Sequence, residues 1–169
     1  MRLLFFITAL VSGGLLISPC YSSELPIDAH VDSIVVIKQK REMFLFQHHH
    51  LLKTYRIALG EQPVGAKHFK GDMRTPEGLY FVNAKNPNSH YHKSLGISYP
   101  SQKDREYAHR IGKDPGGDVK IHGLPNGQGY VGADHVLKDW TWGCIAITDE
   151  EIDELFAHVQ VGVYVNILP

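Results

Sequence analysis

Three apolar segments follow one another closely near the start of the chain: Ser33–Lys38 (SIVVIK), Met43–Gln47 (MFLFQ) and Leu51–Leu59 (LLKTYRIAL). Their β-branched, aromatic and aliphatic content and short polar connections predict consecutive antiparallel strands, with the His48-His49-His50 triplet capping a hairpin. In SIVVIK, Ile34 and Val36 share one face while Val35 and Ile37 share the other, so this strand is expected to be covered on both sides. Two packed sheets are implied. A Gly-, Pro- and Lys-rich loop runs from Gly60 to Gly78, where the Thr75-Pro76 step disfavours helix. Further strands are expected at Gly78–Ala84, Leu95–Tyr99 and Asp118–His122. Ser101 and Asp104 have capping-box spacing ahead of a short helix, SQKDREYAHRI. Thr148 and Glu151 repeat that spacing ahead of Ile152, Leu155, Phe156 and Val159, which recur at i, i+3, i+4 and i+7. Gly162 is expected to end this last helix before a closing strand carrying Val163, Val165 and Ile167. The fold class is mostly β with two or three short helices, β-sandwich-like, and an alternating βαβ pattern is absent.

The amino-terminal MRLLFFITALVSGGLLISPCYSS places an Arg ahead of an apolar run and then small residues, the layout of a secretory signal over residues 1–22. The run is short for a membrane span, and Pro19 disfavours a lipidated Cys20. The expectation is therefore one exported domain over residues 23–169, in the periplasm or cell envelope, meeting the membrane only through the signal segment. With 17 basic and 18 acidic side chains the net charge is −1, which leaves no basic stripe for nucleic acid.

Export changes the meaning of the two cysteines. Cleavage after Cys20 or Ser22 would leave Cys144 without an intramolecular partner, either as a buried inert thiol or as a reactive one. Gly143 keeps side-chain bulk away from the sulfur, and the last helix begins just downstream. A thiol needs a base, and His122 in VKIHGLPNG stands at a predicted strand end before a glycine. A lone histidine at such a position is more often structural, so the pair by itself does not decide the matter. His90 and His92 in SHYHK could join His122 in a zinc site, but no HExxH or spaced carboxylate accompanies them. No metal or cofactor is expected.

The residues IHG, TWGCIAITDEEIDEL, GDMRTPEGLYFV and LGISYP together resemble the L,D-transpeptidase catalytic domain, or YkuD domain, over roughly residues 33–168. That resemblance implies a cysteine acyltransferase of the cell wall acting on peptidoglycan stem peptides at the diaminopimelate carbonyl. It implies Cys144 as nucleophile, His122 as general base and acid, the Gly123 carbonyl as the group orienting the ring, and the Gly143 and Cys144 amides as the oxyanion hole. Tyr99, Thr141, Trp142 and Arg110 are the candidate substrate contacts, with Arg74 and Lys120 as further cations. Many relatives carry Ser-His-Gly-Cys followed by Arg or Asn; this chain has Trp142 and Ile145-Ala146, resembling a subgroup with Trp/Leu-Gly-Cys-Ile-Ala. There the acceptor is open: an amine gives cross-linking, and water gives carboxypeptidase action or release of a wall-linked lipoprotein. A non-catalytic wall-binding module is the alternative from another class.

Overall fold

The computed structural model describes residues 24–169, so the expected signal at residues 1–22 lies outside the described residues. Strands β1 (Val31–Ile37), β2 (Glu42–Gln47) and β3 (His50–Arg56) form the antiparallel meander read from the apolar runs. His48 and His49 turn the β2–β3 hairpin with φ of 49° and 67°. Positive φ at both central residues is the geometry whose twist matches two-residue hairpins. After β1, a 3-10 turn at Lys38–Lys40 replaces the expected end of the strand.

Strands β4 (Gly78–Ser89) and β5 (His92–Ile97) make a second hairpin. Helix α1 (Gln102–Arg110), strand β6 (Lys120–His122), a kinked 3-10 stretch at Gly129–Leu137 and strand β7 (Ile145–Ala146) follow. Helix α2 (Asp149–His158) then runs directly into strand β8 (Val159–Leu168). The strands form one eight-stranded sheet in the order β3-β2-β1-β8-β4-β5-β6-β7, with β8 inserted parallel to β1 and antiparallel to β4. The mostly β, sandwich-like expectation is met, with the two expected sheets, β3-β2-β1-β8-β4 and β4-β5-β6-β7, joined through β4. The single sheet curls, and the chain after β3 pairs with its far edge: Ala58 and Ala146 exchange N–H···O bonds of 3.0 and 2.9 Å. One core fills the curl, with Ile34, Leu45, Ile57, Val82, Ile121 and Ile145 buried together.

Both capping boxes form: the Ser101 and Thr148 hydroxyls accept from the Asp104 and Glu151 amides, and each acidic side chain accepts from its cap amide. Ile152 and Leu155 turn into the core. Gly162 does not end α2; it lies inside β8 at φ 98°, where the β1–β8 register shifts. A glycine tolerates that conformation in a bulge, so it was a strand irregularity and not a helix stop. The helix ends instead where Lys85 donates to the Phe156 and Val159 carbonyls, the latter at 2.7 Å. Its ammonium also stands 4.6 Å from the Phe156 ring. Among the described residues no helix is long and apolar enough to cross a membrane.

Terminal helix carbonyls have no partner within the helix, and Lys85 satisfies two main-chain oxygens at this junction with a charged donor. Lys85→Met should therefore lower the free energy of unfolding by about 2 kcal/mol, measured by chemical denaturation.

Candidate active site

Strands β6 and β7 are parallel neighbours with Ile121 opposite Ile145 and His122 opposite Ala146. One step back along both strands, Cys144 comes opposite Lys120. Because strand side chains alternate, Lys120, His122 and Cys144 fall on one face, with His122 and Cys144 as diagonal neighbours. With strands about 4.8 Å apart and a rise of about 3.3 Å per residue, such neighbours are about 8 Å apart between backbones.

His122 is 3% exposed and its Nδ1 lies 2.7 Å from the Gly123 carbonyl oxygen. A carbonyl only accepts, so Nδ1 carries the proton and Nε2 carries the lone pair. The Tyr91 ring covers the imidazole at 4.4 Å between centroids, and Trp140 meets it edge-on at 5.7 Å. Burial pushes the imidazole down to about 4 against the opposing pull of the Gly123 carbonyl, and the Lys120 and His135 charges lower it further. The ring is neutral at pH 7.

Gly123 is itself required by close packing. A Cβ there would lie 2.6 Å from Asp149 Oδ1 and 3.0 Å from Ile152 Cγ2. That same Asp149 oxygen accepts from Leu124 N–H at 2.8 Å, so the first residue of α2 braces the turn that holds His122.

The Cys144 sulfur lies 3.8 Å from the Asp118 carbonyl oxygen, and the Lys120 backbone N–H donates toward it. Burial pushes the thiol up, while that N–H and the Lys120 and Lys67 charges pull the other way. The resting pair is thus a neutral thiol beside a neutral imidazole. Cys144 is the free cysteine among the described residues.

The turn before Cys144 is built by Thr141 and Gly143. The Thr141 hydroxyl accepts from Gly143 N–H at 3.1 Å and donates to the Cys144 carbonyl at 2.7 Å. Gly143 has φ 121°, and a Cβ on it would sit 2.5 Å from the Arg74 carbonyl oxygen. Thr75 Oγ1, which accepts from Gly60 N–H at 3.1 Å, stands 3.5 Å from the Cys144 carbonyl.

Several expectations need correction on this geometry. The Gly143 N–H is engaged by the Thr141 hydroxyl, so it is not a free donor for an oxyanion. Thr141 is buried and shapes the turn; it does not face a substrate. Tyr99 is buried too, with its hydroxyl donating to Pro115 O at 2.8 Å and its ring edge-on to Tyr80. Trp142 is 77% exposed two residues before Cys144, whereas Arg110 lies 5.2 Å over the Tyr107 ring at the end of α1. Of the histidines considered for zinc, His92 bonds Asp153 at 2.7 Å and His122 bonds the Gly123 carbonyl. Tyr91, Trp140, Asp149 and Lys67 had not been singled out; Trp140 and Asp149 flank the TWGC segment, the one signal that could have drawn attention to them.

A family model described as the L,D-transpeptidase catalytic domain, YkuD, matches residues 31–167. The chain belongs to that family. Similar proteins include YafK of Escherichia coli (strain K12) and YqjB of Bacillus subtilis (strain 168), each named "Putative L,D-transpeptidase". YafK is 31% identical over 149 residues, covering 80% of this chain and 53% of the relative. YqjB is 30% identical over 157 residues, covering 90% and 80%. Among solved structures, the helical cell shape determining protein Pgp2 of Campylobacter jejuni matches with a TM-score of 0.60 at 25% identity, covering 83% of this chain and 48% of that one. The chain thus spans about half the length of YafK and Pgp2. An L,D-transpeptidase of Mycobacterium smegmatis, 14% identical with a TM-score of 0.55, shares the fold.

Within this L,D-transpeptidase domain the cysteine turn is sensitive to a single methyl group. Gly143→Ala should cost about 3 kcal/mol of stability, because it combines a disallowed φ with a clash against main chain. Thermal melting of the purified variant measures it.

Proposed function

We propose that this domain is an exported cysteine acyltransferase that works on peptidoglycan stem peptides at the carbonyl of the third residue, diaminopimelate. The observation that carries the reading is the shared strand face of His122 and Cys144, with Nδ1 tied to the Gly123 carbonyl so that Nε2 is the basic nitrogen. Family membership and the name of the cell-shape relative support a wall substrate.

In the first half-reaction Nε2 takes the thiol proton as Sγ bonds to the stem carbonyl carbon. The Cys144 N–H faces the developing oxyanion. The carbon–nitrogen bond then breaks, the imidazolium gives its proton to the departing D-alanine amine, and a thioester remains. In the second half an acceptor amine attacks, passes a proton to Nε2, and the released thiolate recovers that proton. Water in place of the amine gives hydrolysis, either as a carboxypeptidase or by release of a wall-linked lipoprotein. Trp142 is exposed two residues before Cys144, and on this reading it is the residue through which transfer and hydrolysis would be balanced. Ala146 is fully buried in the closing ladder and has no such role.

Incubating the protein with tetrapeptide muropeptides should give an intact-mass adduct of the acylated stem lacking D-alanine, absent in Cys144→Ala and reduced at least about 100-fold in rate in His122→Ala. An adduct that persists in Cys144→Ala would overturn the proposal. Product chromatography separates dimers from shortened stems.

The sign of the pH dependence follows from the neutral pair. His122 must be unprotonated to act, and burial keeps it so down to about pH 4. The kcat/KM for acylation should therefore stay within about twofold between pH 7.5 and 5.5, where an ordinary imidazole of pKa about 6.5 would already have lost most of its base form. A tenfold fall over that interval would contradict the burial argument.

A further inference from the structure

The chain from Lys67 to Thr75 forms the back wall of the cysteine turn. Besides the Arg74 carbonyl behind Gly143, the Met73 carbonyl oxygen lies only 2.2 Å from where a Cβ on Gly60 would stand. Lys67 comes from this wall and is 5% exposed. Its ammonium donates to Asp72 Oδ1 at 2.8 Å and to the Phe69 carbonyl at 3.2 Å. It also lies 3.7 Å from the position of a Gly143 Cβ, directly behind the residue that precedes the nucleophile.

The two charges of this buried pair are unequally compensated. Asp72 accepts three backbone amides as well as the ammonium: His68 at 2.6 Å, Phe69 at 3.1 Å and Arg74 at 3.1 Å. Its negative charge is spread into the loop. Lys67 has one neutral and one ionic acceptor for three protons, and its charge lowers the Cys144 thiol after the larger effects of the Lys120 N–H and ammonium. Two buried charges also contribute little stability compared with apolar side chains of similar size, and Lys38 already clips the same loop through Gly65 O, Thr75 O and Glu77. Fastening the loop therefore leaves the second buried pair unexplained.

We propose that Lys67 is a positioning residue for the nucleophile: its buried ammonium, fixed behind Gly143 by Asp72, stabilises the thiolate that Cys144 becomes when His122 takes its proton. The use of that thiolate rests on the acyl-transfer reading above; the effect of the charge on the sulfur does not. The groups acting on the sulfur are the Lys120 ammonium and backbone N–H, the Asp118 carboxylate and carbonyl, and Lys67, with His122 on the neighbouring strand opposite Ala146.

The test is alkylation of the full chain by iodoacetamide from pH 6 to 10, followed by intact mass and assigned to Cys144 against a Cys144→Ala control. In Lys67→Met the apparent thiol pKa should rise, slowing alkylation at pH 7 about tenfold while the limiting rate at high pH is kept. A folded Lys67→Met variant whose rate curve overlays that of the unaltered protein overturns the proposal. Where the single variant fails to fold because Asp72 is left unpaired, Lys67→Met/Asp72→Asn removes both charges and should shift in the same direction; an overlaid curve, or failure of both variants to fold, makes Lys67 structural and overturns it. A shifted thiol in a protein that forms no acyl-enzyme would sink the proposed reaction and leave the Lys67 effect standing.

Discussion

The pair of main-chain hydrogen bonds between Ala58 and Ala146 is the constraint on which the site depends. Strand β7 is two residues long and parallel to the three-residue β6, too little ladder to fix a nucleophile by itself. Bonding its other edge to the chain after β3 turns a sheet end into a closed seam. Leu59 and Glu61 extend that seam to Thr141, whose N–H and carbonyl they bond at 3.0 Å each. Arg41 and the Leu59 amide both hold Asp139, so the segment entering TWGC is tied to the opposite end of the curled sheet. Cys144 is thus held from both sides, and its geometry relative to His122 is a property of the whole curl.

Burial then sets the chemistry. A His122 ring left in water would compete as an imidazolium near neutral pH; covered by Tyr91 and Trp140 it stays a base, with its tautomer chosen by the Gly123 carbonyl. The same burial disfavours a resting thiolate at Cys144. On the proposed reaction, proton transfer would therefore wait until a carbonyl is present to take the electron pair, and the charge that appears on sulfur would meet the fixed Lys120 N–H. A preformed thiolate–imidazolium pair is disfavoured by the burial of both partners.

How much of this was legible in the sequence depended on the range of the signal. The meander, both capping boxes and the closing strand rest on local periodicity and hydrogen bonding, and they could be read directly. The two-residue β7 carries no periodicity, and its existence depends on Ala58, far away in the chain. Gly162 reads locally like a helix stop, but what requires it is a bulge against β1. Cys144 and His122 could be singled out because the motif names both, and the fold brings their segments together as the neighbouring strands β6 and β7. Their surroundings were less legible: Tyr91 sat in what read as a polar histidine loop, and Tyr99 read as a cleft residue although its hydroxyl is spent on Pro115. Thr141 and Gly143 were found, but their assigned contacts were not, since only the fold shows the Gly143 amide turned onto the Thr141 hydroxyl.

That last bond bears on what the domain can tolerate. A positive-φ glycine pressed against the Arg74 carbonyl, with its amide engaged and its successor's carbonyl held by Thr141, leaves the cysteine turn few ways to move. Variation is then expected to be absorbed at Trp142, the one residue of the turn that faces solvent, where a change of side chain alters what can approach Cys144 without disturbing the backbone beneath it. The wall behind Gly143 and the exposed ring in front of it therefore differ in freedom: the first fixes the backbone at the sulfur, and on the proposed reaction the second would be free to distinguish an amine from water.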